Sequence, residues 1–454
     1  MSIFNGSRLT NETFKLDIER MRRGWYSDKY FEAITAILAE MARRQLCFGS
    51  FGGETSPRLP GVDVSEIDTG NVEVEMQFFT RRDFAVIAGV DKALAMLRYG
   101  TGEPDEQGRF IPTWQHLRVE AVHDGATTTF DGDARDVQPA IKVRGRYGDF
   151  ALLETPMLGV LTRASRIATN VYEVLRAARG KPVLFFPARF DAHEVQAADG
   201  YAYDIAVKRF ALDFRDGPPP YISTDAQGDW WGGAGGGTVA HAAISAFLGD
   251  TAAATLAFAA LVPAEVPRIA LVDFHNTSVE TSLEVARAMF DRWWALRQQG
   301  QTEEAERYRL FAVRLDTSGN LRDTSVPPLG EKRLDNGVNP RLVWNVRQAL
   351  DESWRDWAYA GPRAQAASEF CRSIKVVVSG GFDPAKIRWF EELMVPVDIY
   401  GVGSSLLSNS AETNTDFTAD IVRVKVHGQW VPMAKVGRRA GENPDLEPVD
   451  LGAL

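Results

Sequence analysis

The sequence predicts an α/β protein in two structural units, the larger one a barrel of about six parallel βαβ repeats. Compact apolar runs bounded by Gly or Asp recur after residue 150, and helical patterns separate them. Alternating, strand-like segments gather toward the two chain ends instead. A chain of 454 residues with 45% apolar side chains also exceeds what one hydrophobic core usually serves. The expected division is residues 1–150, completed by 409–454, and a barrel unit over 151–408.

From Asn11 to Arg44, apolar residues at helical spacing (Met21, Trp25, Phe31, Ile34, Ile37, Leu38, Met41) predict one or two helices, which GSFGGETSPRLPG ends. VEVEMQFFTRR alternates as a strand does, and DFAVIAGVDKALAMLRYG reads as strand-turn-helix or plain helix. LRVEAVHDGATTTF and AIKVRGRYGDFALLE are strand-like, with Asp124 and Gly125 suiting a hairpin turn. After Glu154 come the runs PVLFFPAR, YISTD, RIALVDF, LFAVRLD, IKVVVSGG and VPVDIYGVG. Parallel barrel strands carry their binding groups at their C-terminal ends, which here hold Arg189, Asp273, Arg314 with Asp316, Ser379 to Gly381, and Gly401 to Ser405. Beyond Ser408, DIVRVKVHGQWVPMAKVGR alternates again around an HG turn and is expected to rejoin the N-terminal unit.

Charge and cysteines narrow the function. Lys plus Arg number 51 against 61 Asp plus Glu, a formal charge of −10 that disfavours broad attraction to nucleic acid or an anionic membrane. The polar N-terminus lacks a signal-peptide pattern, and TAAATLAFAALVPAEV is too short to span a bilayer, so a cytoplasmic protein is expected. Cys47 and Cys371 lie far apart outside any CxxC or Cys/His cluster, which suggests neither a disulfide framework nor a zinc site.

An anionic ligand must therefore be held locally, and two loops offer to do it. VVVSGG (Val376 to Gly381) and YGVGSS (Tyr400 to Ser405) each run a strand into small residues, where Gly admits backbone N–H groups to phosphate oxygens and Ser adds a hydroxyl. One such loop is equally a tight strand-to-helix turn; two in succession favour a cradle for a ribose 5-phosphate. In RLDTSG, strand alternation puts Arg314 and Asp316 on one face, either to meet a ligand carboxylate, pyrophosphate, ribose or magnesium, or as a barrel-rim salt bridge. WWGGAGGGTVAH places five glycines before His241 at a helix start, an anion-site pattern in which the imidazole can contact phosphate or accept a phosphoryl group. FFPAR pairs an aromatic, Phe186, with Arg189, as a flat pyridine carboxylate would need. Tyr30 in YSDKYF is either an opposing aromatic or core, and His275 and Asn276 beside Asp273 are either ligand contacts or helix caps.

In this order the motifs WWGGAGGGTVAH, RLDTSGNL, GVNPRLVWNVRQALD, VSGGFDPAKIRWF, VPVDIYGVGSS and DFTADIVRV resemble the nicotinate phosphoribosyltransferase family, from about Glu154 to Arg438, with SDKYF as an N-terminal echo. The resemblance implies an irregular type II phosphoribosyltransferase α/β barrel with a second α/β domain built from both termini, and a homodimer with shared active sites. It implies transfer of phosphoribosyl from phosphoribosyl pyrophosphate to nicotinic acid, with Mg2+ and with ATP as co-substrate, in NAD biosynthesis. Roles carried over residue by residue are phosphorylation at His241 in its GTxxH segment with Thr238, contact of Arg314 and Asp316 with base and ribose, and base contact by Phe186, Arg189 and Tyr30. Ser379, Gly380, Gly381, Gly401, Gly403 and Ser404 fall where the 5-phosphate is held, and Asp273 and Asp316 are the magnesium or ribose candidates. Two departures touch the base pocket: Ala240 stands where this branch has Pro, and YAYDIAVKRFALDF replaces a YxGGFxGTSN stretch. Nicotinamide or quinolinate as the acceptor is the nearest alternative, and a non-catalytic phosphosugar-binding relative a distant one. A phosphosugar isomerase or aldolase would present a Lys or Glu at a strand end, and none stands there.

Overall fold

Two units divide the chain: Met1–Asn170 with Ala202–Arg209 and Ser408–Leu454, and Val171–Tyr201 with Phe210–Leu407. The computed structural model describes residues 6–236 and 238–454; Gly237, one of the five glycines before His241, lies outside them, as does the start of the N-terminal segment. The division falls at Asn170, inside the helix Glu154–Ala177, and not at 150, because a continuous helical pattern carries no mark of the change.

The first unit is built on a six-stranded antiparallel sheet in the order Gln429–Pro432, Phe417–Val426, Glu73–Thr80, Ile141–Arg146, Arg118–Ala121, Glu447–Pro448. Its central strand carries Glu75, fully buried, opposite Arg144 on one neighbour and Arg423 on the other. Both arginines reach the carboxylate, at 2.6 Å and 3.0 Å, so a charge that would be costly alone is paired across the sheet and fixes its register. Phe78, Ile87, Leu94, Leu97, Val143, Phe150 and Leu161 form the core beneath. The HG pair makes the expected turn, with His427 and Gly428 both at positive φ between paired antiparallel strands.

Two local expectations are corrected. The N-terminal helical stretch is three helices, Asn11–Phe14, Ile18–Arg22 and Lys29–Arg43, because Lys15 turns left-handed at φ 51° and Gly24 at φ 72°. Asp124 and Gly125 turn the chain but make no hairpin, since Arg118–Ala121 pairs with Ile141–Arg146 while Thr127–Thr129 pairs with Phe84–Val86. The Asp124 carboxylate instead accepts the Val90 N–H at 2.8 Å, capping the helix Val90–Gly100, and the Gly125 N–H bonds the Ile87 carbonyl.

Glu154, half-buried, is pushed up to about 7 from 4.5, chiefly by burial and then by Asp420 and Asp28. The folded state holds this proton more tightly than the unfolded chain, so the group's contribution is present below about 4.5 and lost as pH rises through about 7. Glu154→Gln is therefore expected to match wild type near pH 4 and to exceed it by about 3 kcal/mol near pH 8. Urea unfolding at both pH values checks this; a difference independent of pH would refute the assignment.

The second unit is built on a six-stranded sheet, parallel at every pairing, in the order Ile269–Leu271, Ala312–Leu315, Lys375–Val378, Ile399–Val402, Val183–Phe185, Tyr221–Ile222. Consecutive strands are neighbours and the last pairs with the first, the order of a ring. Among the described residues this ring is cut at one place, between Tyr221–Ile222 and Ile269–Leu271, where the chain runs through the glycine-rich stretch and the helices His241–Ala246 and Thr251–Leu261. The strands read as continuous apolar runs because both their faces are covered. Ala270, Val313, Val376, Val378, Tyr400 and Phe185 are buried on one face, and Leu184, Ile269, Ala312, Val377 and Ile399 cluster on the other, with Phe186 and Tyr221 packed against them. No described helix is long and apolar enough to cross a membrane.

Candidate active site

Side chains alternate along a strand, so continuing the inner apolar face two residues at a time leads from Ala312 to Arg314 and Asp316, from Val377 to Ser379, and from Ile399 to Gly401 and Gly403. Leu184 leads likewise to Phe186. The apolar cluster is thus a floor, and above it these residues line a cavity of about 490 Å³. Of the residues read from the sequence, Phe186, Arg189, Thr238, His241, Arg314, Asp316, Ser379, Gly380, Gly381, Gly401, Gly403 and Ser404 all border it. Asp273 adjoins through His241. Tyr30 does not line it: that residue stands on the helix Lys29–Arg43 of the first unit, 63% exposed, its hydroxyl 3.1 Å from Asp28.

Arg314 and Asp316 are not a rim salt bridge. Among the described residues no ion pair joins them: Arg314 donates to the Val239 carbonyl at 3.3 Å, and Asp316 accepts from the Ser379 hydroxyl at 2.9 Å. The Arg314 Nε is buried without an acceptor. Burial lowers the pKa of its guanidinium, with Arg189 adding to the pull while Asp316 and Asp273 oppose it; an arginine stays charged under such a shift. Two cations thus converge on the cavity, and an anion would relieve both. The Phe186 ring lies 5.8 Å from the Arg314 guanidinium, and Gly401 leaves its face clear, since a Cβ there would come within 3.1 Å of the ring. A flat ring against Phe186 with an acidic substituent toward Arg314 is the arrangement this corner accepts.

The two glycine loops have the backbone that an anion cradle needs. Gly380 and Gly381 both take positive φ, 85° and 67°, which glycine adopts without strain. A Cβ on Gly380 would stand 3.1 Å from the Asp316 carboxylate. Ser405 donates to the Phe382 carbonyl at 2.8 Å and ties the two loops together. Ser379 is 96% buried, its hydroxyl bonds Asp316 and its N–H the Leu315 carbonyl, so it holds a carboxylate in place, and the donors the loop can offer an anion are the N–H groups of Gly380 and Gly381.

His241 begins its short helix half-exposed, its Nε2 at 3.1 and 3.2 Å from the two oxygens of Asp273. The carboxylate orients the ring and leaves Nδ1 as the nitrogen turned to other partners. Burial raises the Asp273 pKa, with Asp316 adding to it and His241 opposing. His275 bonds the Gly249 carbonyl at 2.9 Å and Asn276, at φ 59°, donates to the Arg322 carbonyl, so both serve the backbone.

A sequence model described as quinolinate phosphoribosyl transferase, N-terminal domain, matches residues 62–165. Nicotinate phosphoribosyltransferase pncB2 of Mycobacterium tuberculosis is 26% identical over 278 residues, 60% of this chain and 45% of that protein. The chain thus matches less than half the length of these curated relatives. Among solved structures, nicotinate-nucleotide pyrophosphorylase from Pyrococcus furiosus superposes with a TM-score of 0.60 at 23% identity, covering 96% of this chain and 85% of the other. Human nicotinic acid phosphoribosyltransferase gives 0.52 at 18% identity, covering 80% and 72%. The chain shares the α/β fold of these two structures. Cavity residues that the sequence motifs do not single out include Ser223, Phe190 and Phe382. Ser223 follows the strand Tyr221–Ile222, so the strand-end rule applied to YISTD would have nominated it. The departing stretch YAYDIAVKRFALDF lies within the helix Gln196–Phe214.

Proposed function

We propose that this protein transfers the phosphoribosyl group of phosphoribosyl pyrophosphate to nicotinic acid, giving nicotinate mononucleotide and pyrophosphate. The observation that carries the reading is one cavity holding an aromatic face, a half-buried arginine whose Nε lacks an acceptor, and two glycine loops side by side. The pyridine nitrogen attacks C1 of the sugar as the C1–oxygen bond to pyrophosphate breaks, through a transition state of oxocarbenium character that needs no protein nucleophile. Phe186 stacks the base, Arg314 or Arg189 pairs its carboxylate, and the loops at 379–381 and 401–404 grip the 5-phosphate, so orientation supplies much of the acceleration. Asp316 and Asp273 suit the ribose hydroxyls or a magnesium ion. Two carboxylates fit an ion held mainly by the substrate's phosphates, and the ion would neutralise the leaving pyrophosphate. Among the described residues of the lining the cationic side chains of this kind are Arg189 and Arg314, with no lysine; this count supports a pyridine with one carboxylate over quinolinate with two.

The reading includes ATP. The γ-phosphoryl group passes to Nδ1 of His241, ADP leaves, and the added charge reshapes the pyrophosphate site until phosphate is released to water. The two-subunit site of the resemblance belongs to the same proposal, with Tyr30 reaching the base of a second copy. The experiment compares nicotinate, nicotinamide and quinolinate with phosphoribosyl pyrophosphate and magnesium, each with and without ATP. Nicotinate mononucleotide as the main product is expected, with His241→Ala abolishing the ATP-dependent increment and sparing basal turnover. Preferred turnover of another pyridine overturns the substrate, and wild-type ATP stimulation in His241→Ala overturns the histidine's role.

A further inference from the structure

Lys386 has no part in the reading above, yet it sits under the phosphate loop. It lies in the first turn of the helix Pro384–Glu392, whose N-cap Asp383 accepts the Lys386 N–H at 2.7 Å. Its Nζ reaches to 3.4 Å from the Gly380 carbonyl and lies 4.1 Å from the centre of the Phe382 ring, with Phe390 at 5.9 Å. The ammonium does not line the cavity. It acts on the peptide that does: the Gly380 carbonyl and the Gly381 N–H belong to one trans peptide plane and point in opposite directions. Holding the carbonyl on the side of the helix therefore turns the Gly381 N–H the other way. With φ positive at both glycines, no side chain resists the peptide's flipping, so an outside anchor is what fixes it. Ser405 anchors the next carbonyl but one, at Phe382, in the same manner.

We propose that Lys386 is a positioning residue for phosphate recognition, aiming the Gly381 N–H at the sugar phosphate by holding the Gly380 carbonyl. This rests on the phosphoribosyl reading of the cavity. The charge on Lys386 is also adjustable: burial brings the ammonium down to about 8, with Asp383 pulling the other way. Asp383, on its own turn, is the charged group that bears on it. From the strand end it faces the Gly380 carbonyl and the Phe382 ring, and from its own helix the Phe390 ring. A phosphate monoester has its second pKa near about 6, so between pH 7 and pH 9 the ligand keeps its charge while the lysine loses its own.

The test is calorimetric binding of ribose 5-phosphate to the full chain at pH 7 and pH 9, for wild type, Lys386→Met and Lys386→Arg. Wild type is expected to bind about tenfold more weakly at pH 9, a charge-assisted contact being worth roughly that factor. Lys386→Arg should stay flat across the range, and Lys386→Met should be weak at both pH values. In turnover, the methionine variant should raise KM for phosphoribosyl pyrophosphate about tenfold while leaving KM for the pyridine near wild type. Should the methionine variant fold poorly, the arginine variant's pH profile decides alone. Wild type binding the sugar phosphate with no break above pH 7, or with the break kept in Lys386→Arg, overturns the role of Lys386 and spares the functional reading. No binding by wild type at either pH removes both.

Discussion

Alanine in place of Arg314 is expected to lower kcat/KM for nicotinate by about a thousandfold, or roughly 4 kcal/mol. The size follows from the site. The guanidinium is half-buried above an apolar floor, its Nε has no acceptor, and no ion pair with a protein carboxylate is seen among the described residues. A ligand carboxylate at about 4 Å gains on the order of 4 kcal/mol at an effective dielectric of 20, before desolvation is subtracted. Lysine should recover the charge but not the planar fork, and so stand about tenfold above alanine. Initial rates over a range of nicotinate concentrations measure both. An alanine variant within tenfold of wild type would mean that the carboxylate is held elsewhere, with Arg189 the next residue to change.

Gly401→Ala should cost nearly as much for a different reason, with kcat/KM falling about a hundredfold and little change in thermal stability. The added carbon would stand 3.1 Å from the Phe186 ring and 3.1 Å from the Ser379 Cβ. Either neighbour must give by a few tenths of an ångström, and neither is idle, since Phe186 presents the stacking face and Ser379 holds Asp316 at 2.9 Å. One methyl group thus disturbs base and ribose contacts together, and small misplacements of reacting groups are expensive. Rates and KM values equal to wild type, with folding intact, would show that the ring at 186 does not meet the substrate.

Much of this site could be read without a structure because of how parallel strands look in sequence. Runs such as LFAVRLD and IKVVVSGG are continuous only when both faces are covered, and the polar residues that end them are where a ring of strands opens. Arg314, Asp316 and Ser379 to Gly381 were legible on that ground. Asp124 and Gly125 suggest a hairpin because a turn's residues name its shape and not the partners of the strands beside it; the fold instead uses the aspartate as a long-range cap on Val90. Lys386 was invisible as a functional candidate because it acts through a peptide plane six residues earlier, a relation fixed by loop geometry and not by residue type. Tyr30 shows the other limit, since an exposed aromatic on an N-terminal helix reads alike whether it meets core, solvent or ligand.

The cut in the ring has a further consequence for how such a protein can change. Among the described residues the interval between Ile222 and Ile269 adds no strand to the sheet and meets its ladder near both ends, through the bridge from Gly235 to Ile222 and through the Arg268 carbonyl, which accepts the Phe311 and Ala312 N–H groups. That interval delivers Ser223, Thr238 and His241 to the cavity, its Val239, Ile244 and Ala254 pack against Leu271, and its Val239 carbonyl accepts from Arg314, so a change in its length or composition reaches the sheet edge and the cavity's arginine together. Variation in this stretch therefore acts on the cavity twice, through the residues it presents and through the arginine it holds.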